Sequence, residues 1–149
     1  MRDKERIQLG FEAAVKKAFA FAAKLNYHIV CSTPTLVTYR AGNRYMNVFH
    51  GRRSYAIGAE FGEVGNADEV VTLSEIVNSL SGYGAYRELG GSSKESVVAS
   101  VNQLASLVQS FPEVLRGKLP TAELQAYRER LTDYYSGKSK KPPNRGRLP

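Results

Sequence analysis

Aromatic and basic side chains crowd one short stretch of the chain. Arg40, Arg44, Tyr45, Phe49, Arg52 and Arg53 fall within a single run. Aromatic rings on a sheet stack unpaired bases, and flanking arginines neutralise phosphates. This run has the residue types for that chemistry, but not the Lys/Arg-Gly-Phe-type motif of the sheet RNA-binding modules. A plainer reading stands beside it. If helices cover both faces of a sheet, Tyr45 and Phe49 are core, and the arginines are rim charges packed along their aliphatic stems. Those six residues are the candidate binding residues on either a protein or a nucleic-acid reading.

Other chemistry has thinner support. The only histidines are His28 and His50, and the only cysteine is Cys31. His28-x-x-Cys31 has a metal-like spacing, but regular strand alternation sends the two side chains to opposite faces. Zinc also needs three or four ligands. Cys31 as a nucleophile would need an adjacent base; a meander could bring His50 near it. Ser54 does not sit in a Gly-x-Ser-x-Gly elbow. Gly82-Tyr83-Gly84 opens like a dinucleotide fingerprint, but Arg87 stands where the third glycine belongs and a helix precedes it. Glu60, Glu63, Asp68 and Glu69 read as solvated surface, without the placement of a general acid/base pair. The expectation is therefore no catalytic residue, no metal, no cofactor and no enzyme.

The elements that position the cluster follow from periodicity. Ile7, Phe11, Ala14, Val15, Ala18, Ala22 and Leu25 recur at helical spacing, predicting one helix over residues 4–25. Asn26 suits its left-handed end. Strands are expected at 27–33, 35–40, 44–50 and 54–62, joined by connections too short for anything but antiparallel neighbours. A two-residue Gly51-Arg52 turn would pair Val48 with Tyr55 and Met46 with Ile57. That register puts Met46, Val48, Tyr55, Ile57, Ala59 and Phe61 on one apolar face, with Tyr45 and Phe49 opposite Gly58 and Ser54. A three-residue loop would slip the pairing by one. Thr72-x-x-Glu75 and Ser92-x-x-Glu95 read as capping boxes. They open helices at 72–80 and 93–111, and a last helix spans 121–135. Residues 81–93, with four glycines and two tyrosines, read as the longest loop. The fold class is α+β: an N-terminal helix, a four-strand antiparallel meander, then three helices packed on it.

Composition narrows the rest. The 149 residues suit one domain, drawn at 1–135. The formal charge is +7, but Lys138, Lys140, Lys141, Arg145 and Arg147 fall in an acid-free stretch. Residues 136–149 are thus expected to be a disordered basic tail, and the remainder carries only about +2. One cysteine excludes an internal disulfide, and with no signal peptide evident the expected compartment is the cytoplasm. The longest apolar run, Ala18–Ala23, is too short for a membrane span. A protein-interaction module (adaptor or immunity-type) is the first functional expectation, and a nucleic-acid-binding accessory protein the second. The partner would be another protein, or a second copy pairing along an exposed strand edge, rather than a membrane.

Overall fold

The computed structural model describes residues 2–51 and 54–137. The 136–149 tail therefore falls largely outside the described residues, as do Arg52 and Arg53. The architecture is α+β, with helices laid on an antiparallel meander. Strands β1 (His28–Thr33), β2 (Leu36–Ala41), β3 (Arg44–His50) and β4 (Ala56–Glu63) pair in sequence order. Two short strands then share the outer edge of β4. β5 (Val71–Thr72) pairs at Glu60 and Phe61, and β6 (Leu89–Gly90) pairs at Ala56 and Ile57. Two residues are too few for any period to show, which is why the sequence reads Leu89–Gly90 as loop and Thr72 as the start of the following helix.

Helices α1 (Arg2–Leu9), α2 (Phe11–Ala18), α3 (Leu73–Ser81) and α4 (Lys94–Gln109) build the helical layer, with a short α5 (Pro112–Leu115) and with α6 (Thr121–Tyr135) packed on α3. Alternation along the strands decides the core. Val37 and Tyr39 on β2, Met46 and Val48 on β3, and Ile57, Ala59 and Phe61 on β4 are all buried. They meet Phe11, Val15 and Phe19 from the N-terminal helical segment, Leu73 and Ile76 from α3, and Val97, Val101, Leu104 and Val108 from α4. Tyr27 ties the far end by donating its hydroxyl to the Leu115 carbonyl at 2.7 Å.

Three expectations are corrected. The helix over residues 4–25 is broken. Gly10 takes φ +70 between α1 and α2, and residues 20–25 tighten into a 3₁₀ turn ending at left-handed Asn26. The second cap belongs to Ser93, whose side chain accepts from the Ser96 N–H, rather than to Ser92 and Glu95. The β3–β4 register is also different. His50 pairs with Ile57, Val48 with Ala59 and Met46 with Phe61, so the connection runs Gly51–Tyr55 and Tyr55 leaves the ladder with φ +56. The shift is an even number of residues, so the apolar face survives without Tyr55.

The break at Gly10 is testable. In a continuous helix, Gly10→Ala would stabilise by roughly 0.5–1 kcal/mol. At a left-handed position alanine is strained, and the expected result is a loss of about 1 kcal/mol in denaturant unfolding.

Candidate functional site

The sheet has two unlike faces. On the second, Leu36, Thr38 and Arg40 of β2 stand beside Tyr45, Asn47 and Phe49 of β3, then Gly58, Glu60 and Gly62 of β4. All but Gly58 are partly exposed. Phe49 and Tyr45 lie over glycines: a Cβ added at Gly58 would sit 2.8 Å from the Phe49 ring, and one at Gly62 would sit 2.5 Å from the Tyr45 hydroxyl. Each ring packs down on bare backbone where any other residue would lift it. Between the two rings runs a polar rung. Thr38 donates its hydroxyl to Asn47 Oδ1 at 2.6 Å, and Asn47 Nδ2 donates to Glu60 Oε1 at 3.0 Å. Asn47 is thus held on both sides, and its orientation is set by its neighbours.

The six candidate residues are only partly brought together. Tyr45 and Phe49 share the open face with Arg40, which pairs across from Tyr45. Arg40 folds back, its Nε donating to the Gly42 carbonyl at 2.9 Å. Arg44 does not join them. It sits on the helical side, its side chain laid along Gly117 and its guanidinium 5.9 Å from the Tyr27 ring centroid. Strand alternation alone dictates this, because Arg44 has the parity of buried Met46 and Val48. Arg52 and Arg53 lie outside the described residues. The charge on the described open face is consequently mixed, with Glu60 at its centre.

The histidines and the cysteine are also rearranged. A bulge between Ile29 and Cys31 pairs His28 with Arg40 and Cys31 with Thr38. The extra residue puts His28 and Cys31 on one face, where regular alternation predicted opposite faces. They have no third ligand: among the described residues no group of three or more His, Cys, Asp or Glu could hold a metal. Cys31 is exposed on β1, while His50 is buried on the helical side two strands away, so the two form no nucleophile–base pair.

His50 has a structural environment of its own. Its Nε2 lies 2.8 Å from the Gly91 carbonyl and donates to it, which joins β3 to the segment after β6. Its ring stacks on Phe11 at 5.4 Å and meets Tyr55 at 5.7 Å, and the Arg6 guanidinium covers Tyr55 at 4.1 Å. These contacts hold Tyr55 in its left-handed conformation, together with the Gly91 N–H donated to the Tyr55 carbonyl at 3.1 Å. Burial lowers the His50 pKa from 6.5, and the Arg6 charge adds to this. The Gly91 and Tyr55 carbonyls oppose it without reversing the shift. Elsewhere, Arg128 Nε donates to Glu75 at 2.8 Å. Burial raises the Glu75 pKa, but Arg128 and the Thr72 cap outweigh burial and hold the carboxyl below its usual range.

A wide groove of about 670 Å³ runs between β5 and α6, over Val71, Leu119 and Leu124. It shares no lining residue with the aromatic stripe and is flanked by the Arg128–Glu75 pair. No helix among the described residues is long and apolar enough to cross a membrane.

The His50 pKa gives a pH dependence with a definite sign. The unfolded chain binds this proton at a higher pH than the folded chain, so stability is full above the unfolded pKa of 6.5 and falls as pH drops below it. Denaturant midpoints are expected to fall as pH goes from about 7.5 to about 5, and His50→Phe should flatten that part of the profile. The lowered Glu75 pKa acts in a separate window, below the carboxylate value of 4.5. Comparison with protein-family models, curated proteins and solved structures finds no match, so the functional reading rests on this geometry.

Proposed function

We propose that this chain is a non-enzymatic protein-interaction module whose contact surface is the open sheet face. The observation that carries the reading is the Tyr45–Asn47–Phe49 row, held over Gly62 and Gly58 and partly exposed among the described residues. Interface cores favour tyrosine, phenylalanine and fixed polar groups, because such rings bury much area at little entropic cost. Here the rings are already immobilised by their glycines, and Asn47 is already oriented by Thr38 and Glu60. Binding to such a preorganised surface loses little further freedom. Exposed Cys31, a free thiol, is compatible with a reducing compartment, and we place the module in the cytoplasm.

Nucleic acid is the weaker reading of the same face. A phosphate-binding surface needs unpaired positive charge. Glu60 occupies the centre of this one, Arg40 is the one described arginine on it, and Arg44 belongs to the opposite side. Only Tyr45 and Phe49 speak for base stacking.

A photoreactive residue in place of Phe49, in the full chain, separates the readings. In extracts of the native cell it is expected to give a discrete protein adduct. Excess unlabelled chain should compete that adduct away, and a Tyr45→Ala/Phe49→Ala chain should not. The same probe at Gln103, exposed on α4, should give none. An adduct removed by nuclease, an adduct competed equally by the double variant, or no protein adduct at all would overturn the proposal.

A further inference from the structure

The open face is not uniform: it deepens at one end, where the outer edge of β4 is incomplete. β6 pairs through Ile57 and β5 begins at Glu60, so Gly58 and Ala59 pair with neither short strand. A cavity of about 340 Å³ occupies this break. Its walls include the rings of Phe49 and Tyr86, its floor the backbone at Gly58 and Ala59, and its polar side Ser74 and Glu88.

Both ring walls are fixed. Phe49 rests on Gly58, and Tyr86 is held through its backbone N–H, donated to Asn78 Oδ1 at 2.8 Å, and by packing against the core. Backbone direction alternates along a strand. Because the Ala56 carbonyl accepts from the Gly51 N–H on the β3 side, Ala59 aims its own N–H and carbonyl the other way, at the break. The cavity therefore offers two aromatic faces, a backbone carbonyl, a hydroxyl and a carboxylate. No described lysine or arginine lines it, and Glu88 has no ion-pair partner among the described residues. The carboxylate stands close enough to Tyr86 to add to the rise that burial gives the phenol pKa.

We infer that this cavity receives a cationic side chain, lysine or arginine, from the protein partner that docks on the open face. Ring faces attract a cation through their quadrupole, and more so when it is partly desolvated. Glu88 supplies the opposite charge at the polar side, and the Ala59 carbonyl accepts a hydrogen bond from the ammonium or guanidinium. The aliphatic stem packs between Phe49 and Tyr86. The inference rests on the open face being the interaction surface and adds the chemistry of the partner's anchor residue.

The test is an amide-detected NMR titration of the full chain with N-acetyl-arginine methylamide, and in parallel with the citrulline analogue, a neutral isostere. The titration is repeated in an Arg52→Ala/Arg53→Ala background, so that the turn's own arginines do not decide the result. Saturable shifts confined to Phe49, Gly58, Ala59, Tyr86 and Glu88 are expected with the arginine probe. The citrulline probe should bind about five- to tenfold more weakly, and Glu88→Gln should weaken the arginine probe by a similar factor. No localised shift in either background, equal binding of the two probes, or indifference to Glu88→Gln would overturn the inference. Failure of this cavity is distinguishable from failure of the interaction face. If only the cavity is wrong, the Phe49 photoadduct persists and is unchanged by Glu88→Gln.

Discussion

The contact of an aromatic ring with a facing glycine, made twice across β3 and β4, is the constraint on which the sheet's second face depends. A sheet face left without a helix must manage its own apolar side chains, because extended exposed patches invite association. Phe49 and Tyr45 do so by lying down on Gly58 and Gly62. Each ring is packed against bare backbone, and the Thr38–Asn47–Glu60 rung runs between them. The face is part aromatic and part polar as a result. Gly58 lies where the outer edge of β4 breaks, and a cavity opens there.

The helical side answers a complementary demand. Most residues of the opposite parity on β2, β3 and β4 are apolar and buried, and His50 and Arg44 turn their polar ends to the Gly91 carbonyl and the Tyr27 ring. The Phe11–His50–Tyr55–Arg6 stack closes the β3–β4 connection onto the helical layer. It does so with groups that would suit catalysis elsewhere but are committed here to holding Tyr55 and the Gly91 backbone. The two faces of one sheet thus differ in kind. The helical side is largely buried, and the other side is partly exposed among the described residues.

Much of this was legible in the residues, and the parts that were not have physical reasons. Alternation assigns Met46, Val48, Ile57, Ala59 and Phe61 to one face whatever the partner strand does, so an even register shift left that assignment intact. It does not choose the partner, because the connection's length depends on Tyr55 adopting a left-handed conformation supported by His50 and by Arg6, which is distant in the chain. The same parity places Arg44 with the core, against its grouping with Tyr45 and Phe49. Pairing of large with small across β3 and β4 was anticipated at Gly58 and Ser54, and occurs at Gly62 and Gly58. The bulge at Val30 reverses the expected His28/Cys31 relation, and a single inserted residue leaves no compositional trace. Gly10 inside an apolar helical period reads as tolerated, and only its φ shows the break. The cavity walls come from Phe49 and from Tyr86, in a segment that looked like loop until two residues of β6 and the Asn78 side chain fixed it.

The central claim is that the Tyr45–Phe49 face is open to solvent in the isolated chain while the apolar residues of β2, β3 and β4 on the opposite face are buried under the helices. Hydroxyl-radical footprinting of the free protein, read residue by residue by mass spectrometry, measures this directly. Tyr45 and Phe49 should be oxidised at rates approaching those of other partly exposed aromatics, while Phe11, Tyr39, Met46 and Phe61 stay protected until unfolding. Protection of Tyr45 and Phe49 equal to that of Tyr39 would show the face to be covered, and would contradict the account.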